Sequence, residues 1–103
     1  MNMRPKNKNM NMIRVIAYQN FELPDKTIAL PEKIYFKYIE DVEKTFIVDY
    51  PFLLTTNILK LSDLKVLMSP NEYCELSFDL CREIGMDFDG GLITIFKTEA
   101  MNK

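Results

Sequence analysis

The sequence predicts a small single α+β domain: a mixed or antiparallel sheet of about four to five strands with two amphipathic helices, near 31–45 and 70–84. Three observations carry this. Hydrophobic residues make up 48% of 103 residues, enough for a core without metal or disulfide staples. Short runs rich in β-branched and aromatic residues, bounded by turn residues, have the length and period of strands. Between them lie two segments whose apolar residues recur every three or four positions, the period of a helix.

Residues 12–18, MIRVIAY, alternate weakly and read as a strand. FELPDKTIAL follows, with a turn at Pro24-Asp25 and a second short strand at 27–30; the two strands are expected to pair as a hairpin. Pro31 suits the first position of a helix. Over 31–46, Ile34, Tyr35, Tyr38, Ile39, Val42 and Phe46 form the apolar stripe, and Phe36 falls outside it. The aromatics of KIYFKYI also suit a strand, which is the competing reading.

TFIVDYPFLL reads as a strand at 46–50 that Pro51 brings to an end. Residues 55–68 fit a short helical turn near 55–61 and a strand at 64–68. SPNEYCELSFDLCREIG carries helix signals at both ends. Ser69 stands as N-cap, Pro70 at the first turn, Glu72 as capping-box partner and Gly85 as left-handed stop. Tyr73, Cys74, Ser77, Leu80, Cys81 and Ile84 would line its inward face. Asp89-Gly90-Gly91 between apolar runs predicts a hairpin, and 92–98 the last strand. That strand is apolar on both faces, which places it centrally or beneath a partner. No internal repeat is visible in the sequence.

Residues 1–11, MNMRPKNKNMN, are polar and aperiodic and predict a flexible basic tail ahead of a single domain over 12–103. The tail carries Arg4, Lys6 and Lys8 and no acid; the remainder carries ten bases and fifteen acids, a net of −5. No apolar run approaches the roughly 18 residues of a membrane span, and no signal-peptide apolar region follows the first bases. The expected location is the cytoplasm. Residues with A/T-rich codons (Asn, Lys, Ile, Tyr, Phe, Met) supply 47 of 103 positions. That usage fits an A/T-rich genome, as in many phages, viruses and low-GC bacteria; for a phage or viral gene the location is the host cytoplasm.

The chain has no histidine, so Ser-His-Asp and Cys-His chemistry is excluded. On a helix over 70–84, Cys74 and Cys81 would lie about 10 Å apart, at ~1.5 Å rise per residue. That exceeds the ~7 Å a disulfide tolerates. They are expected to be reduced and buried. Asp87 and Asp89 form an Asp-x-Asp pair that could mark a carboxylate or metal-dependent enzyme, but turn chemistry explains both residues and no metal or cofactor is expected. GMDFDGG lacks the Lys-Ser/Thr of a phosphate loop.

The favoured function is therefore a non-enzymatic protein-interaction or regulatory module with a protein partner of unspecified identity, or self-association. Its candidate contact residues are Tyr35, Phe36, Tyr38 and Tyr50. The alternative is nucleic-acid binding through Arg4, Lys6 and Lys8, which the net acidic remainder disfavours.

Overall fold

A computed structural model describes residues 12–49, 57–86 and 89–98. The elements in chain order are β1 (Met12–Gln19), β2 (Thr27–Pro31), α1 (Glu32–Tyr38), β3 (Thr45–Asp49), β4 (Leu59–Lys60), β5 (Lys65–Ser69), β6 (Cys74–Leu76), α2 (Phe78–Ile84) and β7 (Gly91–Lys97). Two 3₁₀ segments, Ile39–Lys44 and Leu61–Asp63, lie before β3 and between β4 and β5. The mixed α+β class is as expected, but among the described residues the sheet holds seven strands rather than four or five, in the order β4-β3-β7-β1-β6-β2-β5.

This sheet is curled. Its outermost strands, β4 and β5, are neighbours in the chain, and the stretch from Lys60 to Lys65 spans at most about 18 Å fully extended. Seven flat strands at ~4.8 Å spacing would hold those edges about 29 Å apart. The chain itself thus draws the two edges together.

The order also contains a topological repeat that the residues do not announce. The chain runs twice through strand, strand, helix, strand: β1-β2-α1-β3 and β5-β6-α2-β7. β1 pairs in parallel with β6, and β5 in parallel with β2. β2 with β6, and β3 with β7, pair antiparallel across the exchange of halves. β1 pairs with β7 over Met12–Ala17 and with β6 over Ala17–Gln19. In the second half β4 pairs with β3, and β5 with β2, so the broken path β4–β5 does the work of the single long β1.

Both helices are shorter than expected. α1 stops at Tyr38, and Asp41 (φ −126°, ψ 37°) breaks the following 3₁₀ segment. The helix expected over 70–84 begins only at Phe78. Ser69 does not cap it: its hydroxyl accepts the Asn71 N–H at 3.0 Å and turns the chain instead. Cys74–Leu76 then enters the sheet between β1 and β2. Cys74 and Leu76 face inward and Glu75 outward, a period of two that the helical reading of the same residues concealed. Of the predicted inward set, Cys74, Ser77, Leu80, Cys81 and Ile84 are buried although the element differs, whereas Tyr73 is only half-buried and meets Tyr18 on the outer side. Gly85 ends α2 at φ +79°, with the Met86 N–H closing on the Cys81 carbonyl at 2.9 Å.

The two expected hairpins are corrected as well. β6 lies between β1 and β2 and keeps them apart. β7 finds its partners in β1 and β3, which occupy both its edges over Ile93–Phe96, so no strand before the glycines pairs with it there. Its central position is as expected.

Ile28, Leu30, Ile47, Leu76, Leu80, Ile93 and Ile95 fill the core from both halves, each burial worth roughly 1.5–3 kcal/mol. Tyr38 is its largest side chain and donates its hydroxyl to the Ile95 carbonyl at 3.4 Å.

Candidate interaction surface

Alternation along β1 sends Ile13, Val15 and Ala17 inward and Met12, Arg14, Ile16 and Tyr18 outward. Antiparallel register then sets Leu92 of β7 directly beside Ile16, Thr94 beside Arg14 and Phe96 beside Met12. Phe46 of β3 continues the last row; its ring lies 5.8 Å from that of Phe96. Ile16 is 48% exposed and Leu92 36%. Single exposed apolar side chains are ordinary, but apolar residues side by side on central strands form a patch.

A groove of about 740 Å³ opens behind this face. Its origin is the brevity of β6, which separates β1 from β2 only near Ala17–Gln19 and Ile28–Ala29. Past its end, Ile13 and Val15 of β1 face Pro31, Ile34, Met68 and Pro70 across the gap. Arg14, Glu32, Lys33 and Glu72 add both signs of charge to the lining.

The expected contact residues divide. Phe36 is 59% exposed on α1, and its ring meets that of half-buried Tyr35 edge-on at 5.3 Å. Tyr38 is a correction. It faces the core and is fully buried, because its position on the helix stripe points it at β7; burial raises its phenol above the usual range. It contributes no contact surface. Tyr50, like Arg4, Lys6, Lys8 and Asp87, lies outside the described residues. Asp89 is exposed in the turn before β7. Met12, Ile16 and Leu92 were missed as surface residues. The available signal was the two-sided apolar character of the last strand, which pointed to a covered outer face.

Other chemistry is sparse. Among the described residues no three His, Cys, Asp or Glu side chains come together as a metal site. Both cysteines are free and buried. Burial pushes the Cys74 thiol up to about 12 and, with the nearby Asp79 charge, the Cys81 thiol up to about 11. Neither is a nucleophile at neutral pH. The Asp41 carboxylate pairs with the Lys97 ammonium at 2.9 Å, which lowers its pKa. Among the described residues no helix is long and apolar enough to cross a membrane.

Compared with known protein families and with curated proteins, the chain matches no family and no curated protein.

Proposed function

We propose that this protein is a non-enzymatic interaction module that docks on another protein through the outer face of β1 and β7. The observation that supports this is the lateral pairing of exposed Ile16 with exposed Leu92 in the middle of the sheet. Met12 and Phe96 extend the same face. Apolar area of this kind, set among polar residues, is the usual core of a protein contact. Self-association is the homotypic form of the same contact. A phage- or virus-encoded accessory protein acting on a host protein is the concrete version, which rests on the abundance of residues with A/T-rich codons.

The test compares wild type with Ile16→Lys plus Leu92→Lys. Light scattering after gel filtration reads self-association, and affinity purification from the native cell with mass spectrometry reads partners. A dimer or a stoichiometric partner present with wild type and lost with the variant supports the reading. A monomer whose captured proteins are the same for both forms sinks it. Co-purifying nucleic acid released by deleting residues 1–11 would favour the basic-arm alternative instead.

A further inference from the structure

Two residues beyond Ile16 on β1, the outer face changes character. β1 and β6 run parallel with Tyr18 beside Glu75, so both side chains leave the sheet on the same side. Tyr73, two residues before Glu75, joins them: its ring meets that of Tyr18 at 4.9 Å and 87°. With Gln19 and Asn20 these residues line a shallow notch of about 390 Å³.

The carboxylate in this notch is held by two uncharged donors. Asn20 Nδ2 donates to one oxygen of Glu75 at 3.0 Å, and Asn71 Nδ2 to the other at 3.0 Å. Both donors are uncharged, so they fix its direction and leave its charge. Glu75 is half-buried, and both of these donors are asparagine amides. Tyr18 is braced from the side, since a Cβ on Gly90 would lie 2.7 Å from its Cδ1. Two aromatic rings at right angles beside an oriented carboxylate attract one class of group above others, an organic cation. The ring quadrupoles draw the positive charge and the carboxylate accepts its N–H groups. An anion would be repelled, and a divalent metal would find a single carboxylate where it needs several oxygens.

We propose that the Tyr18–Tyr73–Glu75 notch is a binding site for a guanidinium or ammonium group carried by an arginine or lysine side chain of a partner protein. The notch is too shallow to enclose a small molecule on its own, but a side chain tethered to a docked partner needs no enclosure. It also adjoins the apolar face: Ile16 and Tyr18 alternate outward on one strand. The identity of the cation's carrier rests on the interaction-module reading; the affinity for the cation does not.

The test is an NMR titration of the full chain with N-acetyl-arginine amide, with the neutral isostere N-acetyl-citrulline amide and choline as comparison probes. The expected result is saturable binding on the order of millimolar for the arginine compound. Shifts should be confined to Tyr18, Tyr73, Glu75 and the side-chain amides of Asn20 and Asn71, with none for citrulline. Glu75→Gln, which keeps one acceptor oxygen for one of the two asparagines and removes the charge, should weaken binding about tenfold or more, and Tyr73→Leu should weaken it independently. Equal shifts with citrulline, no saturation with the arginine compound, or a folded Glu75→Gln that binds like wild type would overturn the site. Preference for choline would overturn the side-chain assignment. Success here together with unchanged partners for Ile16→Lys plus Leu92→Lys would retain the site and reject the apolar face.

Discussion

Gly90 lies against β1 so closely that a Cβ there would stand 2.5 Å from the carbonyl oxygen of Ala17 and 2.7 Å from the ring of Tyr18. It also holds φ +88°, a conformation side chains resist. Gly85 has a similar φ of +79° but open space around it. The two glycines therefore separate backbone strain from crowding. Gly85→Ala should cost about 1 kcal/mol from strain alone. Gly90→Ala should cost more, about 2–4 kcal/mol, because the atom it meets is backbone and cannot rotate away. Urea melts of both variants check this; equal losses would show that the close approach at Ala17 is relaxed in solution.

Asp79 joins α2 to the start of β2. Both its carboxylate oxygens accept the Lys26 N–H, at 3.0 and 3.1 Å, and one accepts the Ser77 hydroxyl at 2.6 Å. Partial burial alone would raise this carboxyl. The hydrogen bonds from Ser77 and from the backbone N–H groups of Lys26, Asp79 and Leu80 outweigh it and hold the pKa below the ordinary 3.8. A depressed carboxylate contributes stability that is present above the unfolded pKa and lost as pH falls through the folded one. Wild type should therefore lose stability as pH drops below about 4, and Asp79→Asn should flatten that limb. At pH 7, Asp79→Ala should cost about 1–2 kcal/mol by stranding its donors. Thermal melts from pH 2 to 7 read both effects.

The buried thiols give the opposite pH limb. Their folded pKa values, about 12 for Cys74 and about 11 for Cys81, stand above the ordinary 9.0. A raised folded pKa means that this contribution is complete below pH 9 and is lost as pH rises through the folded values. Stability should decline above about pH 9, less so in Cys74→Ala plus Cys81→Ala measured against its own neutral-pH value. At pH 8 iodoacetamide should label both thiols only at the rate of opening, and rapid labelling of the native protein would contradict their burial.

These features were not equally legible. Strands whose alternation was unopposed, at 12–18 and 92–98, were readable, as was the Gly85 stop. The helix over 70–84 failed because Ser69, Pro70 and Glu72 offer a local start that tertiary pairing overrides. Cys74 and Leu76 bury equally well as a strand, and only there do they fill the space between β1 and β2. The two hairpins failed for a related reason: proximity in sequence favours pairing neighbours, whereas the repeated topology threads β6 between β1 and β2. Nothing local encodes that exchange. The notch at Glu75 was hidden by the same error, since on a helix Tyr73 and Glu75 would have pointed to different sides.

Ile16 and Leu92 face outward, whereas Ile93, the next residue on β7, is fully buried and paired with Val15. If the outer face is contact surface, lysine at 16 and 92 removes apolar area that the isolated fold does not use. The double variant should then change stability by no more than about 1 kcal/mol, because surface substitutions away from special features are usually small. Ile93→Ala, by contrast, should cost about 2–5 kcal/mol through the cavity it leaves. Melts at low protein concentration isolate these intrinsic effects. Melts at high concentration should then show wild type gaining stability that the double variant lacks if copies associate through this face. A double variant as unstable as Ile93→Ala would instead mean that Ile16 and Leu92 already serve the fold, leaving the face without a partner to explain.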